Sequence, residues 1–216
     1  MTPTQMKDIF DYYYYKILAP LRTFKFQGGS YRYFCHKHNA TWKNERAVEI
    51  PIIWKIVKKY RKQQILEVGN LLSHYFPVKH DILDKYEKVN NVINQDAVDF
   101  RPSKKYDLIV SISTLEHIGW DETPRNPAKI LSAIQNLKNL LTPQGRMVVT
   151  LPLGYNNYLD ELLRDGKISF AEKYYLKRIS KNNKWTEVDW IDDQEVKYGY
   201  PFPAANGLII GTIIKE

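Results

Sequence analysis

Cysteine is almost missing from this chain of 216 residues; Cys35 is the only one. That excludes an internal disulfide and any cysteine-rich metal site, and makes a reducing compartment, the cytoplasm, the expected one. No apolar run approaches the roughly twenty residues that span a bilayer. The N-terminus has no basic patch followed by an apolar core, so no secretory signal is read there. Glycine is scarce, ten in all, and no G-x-G-x-x-G loop occurs, which argues against a dinucleotide site whose backbone must close on a pyrophosphate.

Negative charge is the lack that is most unevenly placed. Residues 1–63 hold 13 Lys and Arg against 4 Asp and Glu, whereas the rest of the chain holds 19 against 20. The whole surplus of +8 therefore comes from the first 63 residues, a cue to a polyanionic partner or surface, with a solvated basic face as the plainer reading. Hydrophobic content of 44% and charged content of 26% are those of an ordinary globular protein. The length suits one sizeable core and is short for two.

In residues 4–21, Met6, Ile9 or Phe10, Tyr13, Ile17 and Leu21 recur at the spacing of one helical face, and Pro20 lies at the end. The Tyr12–Tyr15 run suits a surface half buried and half wet. Packing or a lid is the reading preferred for this helix, over a membrane-surface helix or a stacking platform. Gly28-Gly29 marks a turn, residues 30–36 a short extended segment, and residues 45–62 a helix interrupted or kinked by Pro51. Residues 1–63 thus read as an extension rather than an independent domain, ahead of a main domain over 64–216.

That main domain alternates strands and helices. Strands are predicted at Gln64–Val68, His80–Leu83, Val92–Asn94, Asp107–Ser113 and Arg146–Leu151, then near Tyr175–Ile179 with Thr186–Asp189, and at Leu208–Ile214. A helix capped by Asn126 precedes Thr142-Pro143-Gln144-Gly145, and a helical stretch is read over 157–174. The alternation predicts an α/β, Rossmann-like, doubly wound and mainly parallel sheet. Only about eleven residues, Pro77 among them, separate the first two strands, leaving room for at most two helical turns.

Gln64-Ile65-Leu66-Glu67-Val68-Gly69-Asn70 runs from a buried strand into a tight turn, the place where open α/β sheets bind ligands. Taken with Asp84, Asp96-Ala97, Tyr106–Val110, Thr114-Leu115-Glu116-His117 and the Leu137–Val149 helix, turn and strand, it resembles the class I S-adenosylmethionine-dependent methyltransferases. The resemblance covers roughly residues 64–152. It implies a seven-stranded sheet with an antiparallel last strand, S-adenosyl-L-methionine as cofactor, and a cofactor site at Glu67, Gly69, Asn70, Asp84, Asp96, Ala97, Ser113 and Thr114. In it Glu67 faces the ammonium, Asp84 the ribose hydroxyls and Asp96 the adenine amine. One departure is plain: the first motif's two further glycine places hold Leu71 and Ser73.

For the methyl acceptor, a hydroxyl benefits from a nearby base, and histidine is the commonest choice. His117, at the exit of the fourth strand of the main domain, is the first candidate and His74 the second; His36 and His38 belong to the extension. Tyr155, Asn156 and Asn206 are candidate acceptor contacts. Asp121 and Glu122 beside His117 match no metal motif, and no metal is expected. The Asp/Asn-Pro-Pro-Tyr/Phe signature of amino-methylating enzymes is absent, with Ser113-Thr114-Leu115-Glu116 in its place. The leading expectation is an O-methyltransferase of a small polar acceptor such as a sugar, glycan intermediate or metabolite. A nucleic-acid methyltransferase using the basic segment, and a catalytically weak or inactive binding scaffold, are the alternatives.

Overall fold

The computed structural model describes residues 3–18, 21–192 and 196–215. Helix α1 (Pro3–Leu18) leads to a hairpin of β1 (Thr23–Phe26) and β2 (Gly29–Arg32), then to α2 (Arg46–Lys59). Strands β3 (Ile65–Val68), β4 (Asp81–Leu83), β5 (Val92–Ile93) and β6 (Tyr106–Ile112) follow without an α-helix among them. The remainder is α3 (Lys129–Asn139), β7 (Leu141–Pro152), α4 (Asn157–Arg164), β8 (Glu172–Arg178), β9 (Trp185–Val188) and β10 (Gly207–Ile214). The main sheet runs β5-β4-β3-β6-β7-β10-β8-β9, parallel from β5 to β7 and antiparallel from β10 onward.

This is the doubly wound, Rossmann-like sheet expected, with eight strands rather than seven. The segments read together near 175–179 and 186–189 are two strands, and β9 adds an antiparallel edge beyond β8. Strand β6 shows how the sheet is sandwiched: Leu108, Val110 and Ile112 face one buried cluster, Tyr106 and Ile109 the other. From Leu108 to Ile112 this follows the two-residue period of a strand with both faces covered; a register shift between Tyr106 and Leu108 puts Tyr106 on the same side as Ile109. Ile130, Leu137, Leu159 and Leu162 of α3 and α4 fill one side; Phe24, Phe26, Ile50 and Ile53 of the hairpin and α2 fill the other.

Local details depart from the sequence reading for identifiable reasons. Pro51 neither breaks α2 nor leaves a carbonyl unpaired. The missing N–H of Pro51 would have bonded to the Ala47 carbonyl, and the Phe34 N–H takes that oxygen at 2.9 Å instead. Helix α3 starts later than Asn126, whose side chain does not cap it; Ala128 is the cap residue. The helical stretch read to 174 ends at Arg164, because Gly166 at φ +69° closes it. Lys167 N–H bonds to the Leu162 carbonyl (2.9 Å) and Gly166 N–H to that of Leu163 (3.4 Å), the paired closure of a Schellman motif. The short β3–β4 crossover holds only a 3-10 turn over Leu72–His74, within the two-turn limit.

Candidate cofactor and acceptor site

The strand β3 ends at Gly69, whose φ of +87° is a left-handed conformation that favours glycine. A Cβ there would collide with the Thr114 side chain, which crosses the turn from the exit of β6. The two strand ends thus close on each other at a residue with no side chain. Beside them lies a cavity of about 220 Å³ lined by Val68, Gly69, Leu83, Asp84, Lys85, Tyr86, Gln95, Asp96, Ala97, Thr114, His117, Ile118 and Glu122. Of the residues named from the sequence, Gly69, Asp84, Asp96, Ala97, Thr114 and His117 meet in this one cavity.

Others fall elsewhere. Glu67 is completely buried and does not line the cavity. Its Oε1 accepts the N–H groups of Leu71 (2.9 Å) and Leu72 (2.7 Å), and its Oε2 lies 2.7 Å from His80 Nε2. This carboxylate braces the turn where the expected glycines are missing, from a fully buried place outside the cavity lining. Leu71 points away from the cavity into the cluster of Ile65, Val110 and Ile112, and Ser73 donates its hydroxyl to Asn70 Oδ1. Asn70 contributes its N–H to Asp84 Oδ2 at 3.1 Å.

Asp84 is held by three backbone N–H groups, from Asn70 on Oδ2 and from Tyr86 and Glu87 on Oδ1. A carboxylate has about four acceptor positions, so one remains for a hydroxyl of a ligand. Asp96 is more heavily engaged. It accepts from Lys129 Nζ at 2.5 Å and from Val98 N–H, and lies 2.9 Å from Lys85 Nζ, while Glu122 bridges the same two ammonium groups at 2.6 and 3.2 Å. Burial pushes the Asp96 carboxyl upward, but the two lysines and the amide outweigh it and hold it at about 2, below its ordinary 3.8.

This sets a pH dependence. A carboxylate whose folded pKa is depressed contributes stability above its unfolded pKa and loses it as pH falls through the folded value. The contribution of Asp96 is therefore complete above about pH 4 and lost on approach to pH 2. Urea midpoints measured against pH are expected to show a shallower fall over that window in Asp96→Asn than in the wild type.

On the acceptor side, His117 is nearly half exposed and its Nδ1 lies 2.5 Å from Asp121 Oδ2. Tyr155 donates its hydroxyl to the same carboxylate oxygen at 2.7 Å and packs edge-on to the imidazole at 4.8 Å. Burial raises the Asp121 carboxyl slightly, and the bonds from His117 and Tyr155 bring it below its ordinary value. The carboxylate thus fixes the imidazole's orientation, leaving Nε2 on the other edge of the ring, 3.6 Å from Glu116 Oε1. Tyr198 stacks edge-on to Tyr155 at 5.0 Å and extends this aromatic wall.

His74 is not part of this group. It pairs with Glu87 at 3.3 Å and stacks on His38 at 4.3 Å, away from the cavity lining. Asn156 is buried and caps α4: its Oδ1 accepts the Leu159 N–H at 3.0 Å and its amide donates to the Glu116 carbonyl at 2.7 Å. Asn206 is likewise buried, its amide donating to the carbonyls of Lys197, Phe202 and Ala204 and its oxygen accepting from the Phe202 N–H. Neither side chain is left to meet an acceptor; only Tyr155 of the three candidate contacts stands beside His117.

A second group was not identified from the sequence. Ser113, at φ +39°, donates its hydroxyl to Glu49 Oε1 at 2.5 Å, and Thr150 does so at 2.6 Å. Glu49 Oε2 pairs with Arg46 Nη1 at 2.6 Å, and the Arg46 guanidinium also reaches the carbonyls of Ile112 and Ser113 at 3.4 Å. Glu45 and Glu116 are buried close by, and burial, before any charge effect, lifts both carboxyls above their ordinary range. Glu116 Oε2 has no partner among the described residues. The signal was present as Glu45, Arg46 and Glu49, three charged residues at the start of a helix that is apolar from Ile50 to Trp54.

No protein-family model matches the chain, and no curated protein matches it. Solved structures do. The N-methyltransferase NodS of Bradyrhizobium japonicum, in complex with S-adenosyl-L-homocysteine, is 11% identical over 75% of this chain and 84% of that one, with a TM-score of 0.46. An S-adenosylmethionine-dependent methyltransferase of Clostridium acetobutylicum is 12% identical over 76% and 89%, TM-score 0.40. A sugar N-methyltransferase of a Streptoalloteichus species is 13% identical over 79% and 88%, TM-score 0.39. What those proteins bind and methylate is theirs, and the chemistry of this chain rests on its own residues.

Proposed function

We propose that this chain is an S-adenosylmethionine-dependent methyltransferase acting on a hydroxyl of a small polar acceptor, such as a sugar, glycan intermediate or other metabolite. The observation that carries the reading is the convergence of Gly69, Asp84, Asp96-Ala97, Thr114 and His117 on one cavity at the C-terminal ends of the parallel strands. The residues present fit the cofactor in part. Asp84 keeps an acceptor position for a ribose hydroxyl; Val68, Leu83, Ala97 and Ile118 offer an apolar bed for a base; Gly69 lets the turn approach closely. Asp96 is committed to Lys85 and Lys129, so it serves the adenine amine only by sharing its oxygens.

When bound, the cofactor supplies a methyl group on a positively charged sulfur. The chain's own part is alignment and proton removal. His117, oriented by Asp121 and flanked by Tyr155, takes the proton of the acceptor hydroxyl as the oxygen attacks. Residues 1–63 serve in this proposal as an extension that supports the β6 exit through Arg46 and Glu49.

The test is transfer of a labelled methyl group from the cofactor to fractions of hydroxylated metabolites. His117→Ala is expected to lower turnover at saturating cofactor by about a hundredfold or more, and Asp121→Asn to lower it less. Full turnover by His117→Ala would remove the assigned base; transfer only to amines would remove the hydroxyl.

A further inference from the structure

Helix α1 carries an apolar face that stands exposed among the described residues. Met6 is 60% exposed, Phe10 and Ile17 each 73%, and Leu21, just beyond the helix, 79%. At about 100° per residue, Met6, Ile9, Phe10, Tyr13 and Ile17 share an arc of roughly 100°. The opposite side is the packed one: Tyr12 is buried with its ring 5.3 Å from that of Trp42. The stripe is thus the outer face of a docked helix, and sixteen residues make it about 24 Å long.

Among the described side chains, the charges that border it are positive. Lys16 borders the stripe and Lys37 reaches its edge, 5.4 Å from the Tyr13 ring; both lysines are exposed. Asp11 lies on the other side of the helix, where it acts on Tyr15. Of the four acids among residues 1–63, Glu45 and Glu49 are buried beside Arg46, so the outward charge of this segment is overwhelmingly positive.

We propose that α1 is a membrane-surface helix that lays this stripe into a lipid interface bearing anionic headgroups. An apolar face with cationic flanks and tyrosines at its margin is what such an interface takes up. A second copy of the chain fits less well, because a two-fold contact sets the same patch against itself and would bring Lys16 and Lys37 near their own counterparts. A nucleic acid gives stacking surface to tyrosines but no partner to Met6, Ile9, Ile17 and Leu21. The proposal stands apart from the methyl-transfer reading and does not depend on it.

The experiment is co-sedimentation of the full chain with phosphatidylcholine vesicles, with and without about a third phosphatidylserine. Binding is expected on the anionic vesicles, weakening as salt is raised, with far less on the neutral ones. Phe10→Glu with Ile17→Glu is expected to lower partitioning about tenfold or more at an unchanged thermal midpoint, since both side chains are exposed in the free protein. Lys16→Glu with Lys37→Glu is expected to remove the preference for anionic lipid and leave the weak neutral binding. Absence of binding to anionic vesicles, or full binding by the Phe10/Ile17 variant, would overturn the proposal. So would sedimentation of a dimer, or salt-sensitive oligonucleotide binding, that the same variant abolishes.

Discussion

Gly69→Ala is expected to destabilise the fold by about 2–4 kcal/mol and to abolish cofactor binding. Two costs act together. An alanine at φ +87° sits in the left-handed region, at about 1–2 kcal/mol. Its Cβ would also lie only 2.8 Å from Thr114 Cγ2 and closer still to the hydroxyl, forcing apart the β3 and β6 exits that border the cavity. The two costs are separable. Thr114→Ala in the Gly69→Ala background removes the two closest contacts, leaving the position-114 Cβ at 3.0 Å, and keeps the backbone strain, so it is expected to return part of the lost stability. Urea midpoints at constant m-value measure both steps.

The second large effect belongs to Arg46. Its guanidinium is the charge partner of Glu49, which is fully buried and also accepts from the hydroxyls of Ser113 and Thr150. Removing one member of a buried ion pair leaves the other uncompensated and typically costs about 3–5 kcal/mol. Arg46→Ala is expected to fall in that range. Adding Glu49→Gln should recover much of the loss, because the amide oxygen still accepts from Ser113 and Thr150 without a buried charge. Recovery would identify the charge, rather than lost packing, as the cause. The single variant should also gain stability as pH falls: burial raises the carboxyls of Glu45 and Glu116 and Arg46 opposes that rise, so without it they bind their protons still more tightly than the unfolded chain does.

These two sites differ in how readable they were from the sequence. The turn at Gly69 was legible because a parallel strand buried on both faces is a short continuous apolar run, and because the later strands followed it in order. Five segments separated by many residues could be placed on one sheet edge for that reason. The Arg46–Glu49 group was not placed: its bond to Ser113 spans 64 residues, and sequence spacing does not report which distant backbone a helix covers. Glu67 is legible as an acid at a turn; that the backbone N–H groups of Leu71 and Leu72 within the same turn bond to it is not. Asn156 and Asn206 show the same competition, polar side chains at loop starts that the backbone itself consumes. The over-long helix after Asn157 was avoidable, since Asp165-Gly166 carries the stop.

The central claim, that the cavity beside Gly69 holds the methyl donor, is tested most directly by calorimetric titration with S-adenosyl-L-homocysteine. The account predicts a saturable one-to-one heat in the wild type, weakened in Asp84→Asn and lost in Gly69→Ala. At a hundredfold excess over Kd, binding should add about 2.7 kcal/mol of apparent stability and raise Tm by roughly 5–10 °C. A wild-type protein that gives neither heat nor thermal stabilisation would contradict it.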